Sequence, residues 1–148
     1  MSVHTGGCQC GAVRFRIEGS LGTSSICHCR MCQKAFGNLF APLVSVGSAK
    51  LNWTKSEPSK FQSSNHVARG FCQHCGTPLT YEAPDGIAIA LGAFDQPQNF
   101  PPTIQYGHEN ALPFTAHLQD LPIRETSDDA ATTPFLSAVI SYQHPDRD

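Results

Sequence analysis

The sequence predicts a mostly β protein in a single domain, on three observations. Its 148 residues are enough for one ordinary hydrophobic core but too few for two comfortable ones. Twelve glycines and eleven prolines separate short apolar runs, while charged residues make up only 15% of the chain. Seven cysteines lie in three tight clusters. We therefore expect short strands, many turns and no long helix.

The first predicted strand follows the N-terminal cysteine pair. Val13, Phe15 and Ile17 alternate with mainly polar residues, so they form the apolar face of a strand. Residues 33–36 predict the only helical turn, which Gly37 ends.

A second strand is predicted over residues 39–46, although it contains Pro42. Because proline cannot donate to a central ladder, we expect this strand at a sheet edge or with a bulge. Residues 83–86 have good turn chemistry, so the runs on either side should pair as a hairpin. Further short strands, which suggest a meander, are predicted at 51–53, 60–62 and 67–71, and another at 103–106.

The chain divides into a predicted domain over residues 1–126 and a C-terminal extension over residues 127–148. From about Thr126 onward the sequence becomes acidic and then small and polar, which predicts a loosely attached segment. Exposed edge strands, including the one with Pro42, would allow a homodimer.

The charge pattern argues against two classes of partner. The formal net charge is −2 and no run of Lys or Arg occurs, so we expect neither nucleic-acid nor membrane binding. No segment has the length of a membrane span, and the first residues show no signal-peptide pattern. We therefore expect a soluble, cytoplasmic protein. Cysteine pairs in such a reducing compartment are typical of metal sites more than of disulfides.

The cysteine spacing predicts how the sulfurs group. Residues two apart on a strand point to one face, and a Cys-x-x-Cys pair brings its two sulfurs together through a tight turn. Two of the pairs are followed by glycine, at Gly11 and Gly76, where a left-handed backbone is needed. The economical arrangement is a structural zinc site formed by these two pairs, namely Cys8, Cys10, Cys72 and Cys75.

Three cysteines remain for a second zinc. Two closed tetrahedral sites would need eight ligands, and the chain has seven cysteines. Cys27, Cys29 and Cys32 therefore form a three-thiolate site with one position open, which is typical of a catalytic or substrate-binding zinc.

Three other interpretations stay open from the residues alone. A disulfide framework would leave one cysteine unpaired and would need a secretory context. The second cluster could instead be a redox-active thiol group. A histidine could also close the second cluster, and the candidates are His28, His66 and His74. His28 and His74 lie inside cysteine motifs, so we expect them to point away from the metal.

Three blocks of the sequence resemble, in order and spacing, the glutathione-dependent formaldehyde-activating enzyme family, which includes centromere protein V. The blocks are residues 6–13, 27–34 and 71–79, and the resemblance covers about residues 4–125. It implies a zinc-binding β-tent built from small antiparallel sheets and the same division of the cysteines into four and three. It also implies a carbon–sulfur lyase that condenses formaldehyde with glutathione to S-hydroxymethylglutathione, with the three-cysteine cluster as the catalytic zinc site.

Other residues are candidates for substrate contacts. A glutathione-like ligand carries two carboxylates, and Arg30, Lys34 and Arg69 lie near the cysteine blocks in sequence. Candidate acid–base groups follow further along the chain, at His108, Glu109 and His117. The alternatives to an enzyme are a non-catalytic zinc module that acts as a scaffold or binds a partner, and a sensor of metal or thiol stress.

Overall fold

The computed structural model describes residues 1–148 and consists mainly of short strands. The strands are β1 Val3–Gly7, β2 Arg14–Glu18, β3 Ser24–Cys27, β4 Ala41–Ser45, β5 Lys50–Trp53, β6 Ser59–Gln62, β7 Ala68–Phe71, β8 Pro78–Ala83, β9 Gly86–Ala90 and β10 Ile104–Tyr106. Two short helices, α1 Arg30–Phe36 and α2 Thr126–Asp129, and several 3-10 turns complete the fold. No helix combines the length and the apolar character that crossing a bilayer requires.

The smaller sheet is antiparallel, with strand order β1-β2-β5. The alternation predicted for β2 is confirmed, since Phe15 and Ile17 are fully buried. The ring of Phe15 meets Trp53 and Phe94 edge to face, with centroids 6.1 and 5.2 Å away. These contacts pack the small sheet against the turn that follows β9, so the core is shared by the two sheets.

The larger sheet has the strand order β10-β3-β4-β9-β8-β7-β6. Strands β6 to β9 form a meander, which confirms the prediction for 60–62 and 67–71, whereas the strand predicted at 51–53 is β5 and pairs with β2 in the smaller sheet. The hairpin of β8 and β9 closes with Ala83 opposite Gly86, as expected. The predicted strand at 103–106 is confirmed as β10. It pairs in parallel with β3, whereas every other pair in both sheets is antiparallel.

The expectation that the Pro42 strand lies at a sheet edge or carries a bulge is wrong, because the strand is central and its register is continuous on both sides. Strand β4 lies between β3 and β9 in the larger sheet. Its pairing with β9 covers only Leu43 to Ser45, so Pro42 lies beyond the end of that ladder, where no backbone donor is needed. On its other side Pro42 lies opposite Ile26 of β3. A proline at the end of a ladder is therefore compatible with a central strand.

Helix α1 begins three residues earlier than the predicted turn at 33–36. The backbone N–H of Cys32 donates to the sulfur of Cys29, which caps the helix start. Gly37 ends the helix in the left-handed conformation, with φ of 54°, as expected. The single turn of α2 was not predicted; its start is closed by reciprocal contacts between Glu125 and Asp128.

The last residues of the chain contact the domain, so the loose attachment expected for the extension is wrong at its end. The backbone N–H of His144 donates to the carbonyl of Gln9 at 2.7 Å. The carboxylate of Asp148 lies 3.1 Å from the guanidinium of Arg14. Where the domain ends, placed at residue 126 from the sequence, stays a prediction.

Candidate metal centres

The first cluster brings together the four cysteines expected from the spacing. The sulfurs of Cys8, Cys10, Cys72 and Cys75 all lie within 4.8 Å of one another. Cys10 is 3.6 Å from Cys8 and 3.8 Å from Cys72, sulfur to sulfur. A tetrahedral zinc with bonds of about 2.3 Å would set its sulfurs about 3.8 Å apart. All seven cysteines are free thiols, so the arrangement fits a metal ion and not a disulfide framework.

Two tight turns build this cluster from the chain. Gly11 and Gly76 adopt φ values of 79° and 81°, the left-handed backbone that their positions after the cysteine pairs predict. The backbone N–H of Val13 donates to the sulfur of Cys8 at 3.2 Å. Burial raises the pKa of Cys75, but hydrogen bonds from Thr77 and Cys10 outweigh it and lower that pKa to about 6. At Cys75 these hydrogen bonds favour the thiolate form that binds metal.

The cluster joins the two sheets. Cys8 and Cys10 lie in the connection between β1 and β2, and Cys72 and Cys75 in the connection between β7 and β8. A metal held there would cross-link segments more than sixty residues apart. Such a metal would have a structural role, since its binding would contribute to folding directly.

The second cluster contains three cysteines. The sulfurs of Cys27, Cys29 and Cys32 lie within 4.8 Å of one another, and no histidine or carboxylate belongs to the group. Cys27 ends β3, Cys29 precedes α1 and Cys32 lies in its first turn, so the strand-to-helix junction positions all three. Three thiolates without a fourth protein ligand leave a position for a substrate or water.

The histidine inside this motif points away from the cluster, as expected. The Nε2 atom of His28 lies 2.7 Å from Oε1 of Gln105, and the imidazole ring packs against Phe40 and His108. His66 and His74 are exposed and join neither cluster. The interpretation in which a histidine closes the second site is therefore not supported.

The second cluster opens into a cavity of about 500 Å³, whereas the first does not line it. All three cysteines of the second cluster lie in its wall. The cavity is large enough for a small ligand, and it combines apolar walls with a few polar groups, as ligand sites commonly do. Seven of the lining residues carry a hydroxyl group, namely Thr23, Ser25, Ser45, Ser63, Ser64, Tyr81 and Tyr106.

Arg69 is a charged residue in the cavity wall whose side chain contacts one of these sulfurs. It is only 7% exposed, and its Nη2 atom donates to the sulfur of Cys32 at 3.4 Å. Its Nε atom donates to Ser63, and its guanidinium lies 5.2 Å from the ring centre of Tyr81. Burial raises the pKa of Cys32 to about 12 although Arg69 acts in the opposite direction. A thiolate at Cys32 therefore depends on a bound cation in addition to Arg69.

Tyr81 was not identified from the sequence. It is opposite Arg69 in the pairing of β7 with β8. Burial raises the pKa of Tyr81, and the charge of Cys32 raises it further. The phenol therefore keeps its proton at neutral pH. The signal that could have found it is the register of these two strands, which places the residue opposite Arg69 on the same face.

The other candidate substrate contacts lie outside the cavity. Arg30 and Lys34, on α1, line a neighbouring groove. The proposed acid–base groups are not brought to the cysteines: they do not line the cavity, and all three are exposed, at His108, Glu109 and His117.

The fold and the two clusters define a mostly β protein with two candidate metal sites, one formed by four cysteines and one by three. The family described as glutathione-dependent formaldehyde-activating enzyme matches residues 3–109, well over half of the chain, so the chain belongs to this family. The resemblance seen in the sequence is confirmed, although the match ends before residue 125. A crystal structure of a Rhodobacter sphaeroides protein is similar over 68% of this chain and 98% of its own, at 18% identity and a TM-score of 0.49.

Proposed function

We propose that the protein is a zinc-dependent enzyme that condenses formaldehyde with the thiol of glutathione, a carbon–sulfur lyase-type activity, in the cytoplasm. The observation that carries this proposal is the three-cysteine cluster in the wall of the 500 Å³ cavity. Membership of the family supports the choice of the two substrates.

The donor sets fit two zinc ions. Thiolates are preferred zinc ligands, and the sulfur separations at Cys8, Cys10 and Cys72 match a tetrahedral site. Cys27, Cys29 and Cys32 would hold the second ion. Zinc bound there would supply Lewis acidity and would favour a deprotonated thiol near neutral pH.

The reaction adds the thiol across the aldehyde. A carbon–sulfur bond forms, the π bond of the carbonyl breaks, and the thiol proton ends on the oxygen as a hydroxyl group. The cavity would hold both reactants next to each other, which lowers the entropic part of the barrier. Tyr81 keeps its proton and lies in the cavity wall, so it can donate a hydrogen bond to the substrate oxygen.

The test is an NMR measurement of exchange between formaldehyde and glutathione, with wild-type protein and with Cys29→Ser. We expect wild type to accelerate exchange above the spontaneous rate and to contain two zinc ions per chain. Cys29→Ser should keep one zinc and the fold while losing the acceleration. No acceleration by wild type, with one inert zinc, would favour the non-catalytic zinc module instead.

A further inference from the structure

A groove of about 360 Å³ lies beside the cavity of the three-cysteine cluster, and cationic side chains form part of its lining. Its lining contains three cationic side chains and no carboxylate. The lining residues are Arg30, Met31, Lys34, Ala35, Phe61, Ser63 and Arg69. In a chain with a net charge of −2, this local excess of positive charge favours an anionic ligand.

The groove and the cavity share a wall. Met31, Ser63 and Arg69 line both spaces, so a ligand could reach from the cysteine sulfurs across this wall into the groove. Met31 and Phe61 are both exposed and apolar, and they offer a surface to the uncharged middle of such a ligand.

The three cations lack acidic partners within the protein. Four of the ten Lys and Arg side chains form salt bridges, and Arg30, Lys34 and Arg69 are not among them. Arg30 contacts only the neutral amide of Gln33, at 3.3 Å. The buried Nη1 atom of Arg69 has no hydrogen-bond partner at all. Positive charges without an acidic partner in the protein favour a ligand that brings the opposite charge.

We propose that this groove binds the carboxylate end of the thiol substrate, so that the site selects an anionic thiol over a neutral one. The inference rests on the proposed function, because it places the sulfur of the same molecule in the cavity beside Cys27, Cys29 and Cys32. Guanidinium groups pair with carboxylates through two hydrogen bonds, and Lys34 adds a flexible point charge. Formaldehyde has no charged group, so the thiol must bring the anion.

The test measures binding without turnover. S-methylglutathione has both carboxylates but a sulfur that cannot become a thiolate, and its dimethyl ester lacks both negative charges. Calorimetry would compare these two ligands on the zinc-loaded wild type, on the double variant Arg30→Gln with Lys34→Gln, and on Lys50→Gln. Lys50 is an exposed lysine of the smaller sheet without a salt bridge, so it is the matched control.

We expect wild type and Lys50→Gln to bind the diacid more tightly than the diester, with the difference shrinking as salt rises. The double variant should bind the diacid about tenfold more weakly and the diester as before. Equal binding of diacid and diester by wild type, or unchanged diacid binding by the double variant, would overturn the proposal. Glyoxylate serves as an aldehyde that carries its own carboxylate: if the double substitution weakens only glyoxylate binding, the proposal is also overturned.

The exchange assay separates this proposal from the function on which it rests. If wild type does not accelerate exchange of formaldehyde with glutathione, the proposed function is wrong whatever the binding data show. If wild type accelerates exchange and the double variant has the same KM for glutathione, only the groove assignment is wrong. The expected result is a KM for glutathione that rises more than kcat falls.

Discussion

Arg14 and Asp95 form a buried, bidentate ion pair that ties the smaller sheet to the segment after β9. The two nitrogen–oxygen distances are 2.9 and 2.6 Å, and the side chains are 3% and 7% exposed. The hydroxyl of Thr5 donates to the same carboxylate at 2.6 Å. Because both side chains are buried, this ion pair stabilises the fold only while both partners are ionised.

Acid should weaken the protein through this pair. Burial raises the pKa of Asp95, but the hydrogen bonds from Arg14 and Thr5 outweigh it, so the pKa lies below its ordinary value. The stabilisation is therefore complete above the unfolded pKa of about 3.9 and is lost as pH falls through the lowered folded pKa. Urea unfolding of wild type between pH 3 and 7 should show this loss, and Asp95→Asn should show a shallower one.

Asp95→Asn should also destabilise the protein at neutral pH by about 3 kcal/mol, because it leaves the Arg14 charge buried without its main partner. The matched control is Glu18→Gln, which breaks the more exposed pair with Arg16 and should cost less than about 1 kcal/mol. If the two substitutions lower the free energy of unfolding equally, the buried pair does not stabilise the protein more than the exposed pair does.

The two clusters should respond differently to loss of one cysteine. Cys72→Ser opens the four-cysteine site, where metal binding contributes on the order of 10 kcal/mol, comparable to the whole stability of a small domain. We expect this variant to lose its cooperative thermal transition. Cys29→Ser should keep that transition, since the three-cysteine site lies within one strand-to-helix junction. Calorimetric scans with zinc analysis check both, and cooperative unfolding of Cys72→Ser would contradict the structural role.

Substitutions at Gly11 and Gly76 can test whether His144, near the chain end, packs against the turn at Gly11. Both have a positive φ, so alanine at either should cost about 1–2 kcal/mol through the backbone. A Cβ at Gly11 would also overlap the ring of His144, whereas at Gly76 it would meet nothing. Gly11→Ala should therefore destabilise more than Gly76→Ala in urea unfolding. Adding His144→Ala should remove most of the difference; if the difference persists, the packing of the chain end does not cause it.

Arg69 should help the second cluster retain its metal. Three thiolates around a divalent ion carry net negative charge, and Arg69 donates to one of these sulfurs. Arg69→Gln should lower metal affinity at this site by about 10- to 100-fold. Competition with a chelator measures the change, and the first cluster in the same molecule is the internal reference. Unchanged retention would show that Arg69 does not act on the metal.

The sequence by itself determined the features that depend on neighbouring residues. The grouping of Cys8 with Cys10 and of Cys72 with Cys75 follows from spacing and a following glycine. The apolar face of β2 follows from its alternation, and the β8–β9 hairpin from its turn. Each of these signals lies within a few residues of the feature that it predicts. The mostly β class and the candidate metal ligands could therefore be predicted without a structure.

Only the tertiary structure decided the features that depend on distant contacts. Strands β1 and β3 are glycine-rich or polar and become strands because β2, β4 and β10 pair with them. The central position of β4 depends on where β9 ends. The cavity at the second cluster exists because β7 and β8 bring Arg69 and Tyr81 to sulfurs of the β3–α1 junction. Long-range pairing and burial are properties of the whole fold, so no local pattern in the sequence could have specified them.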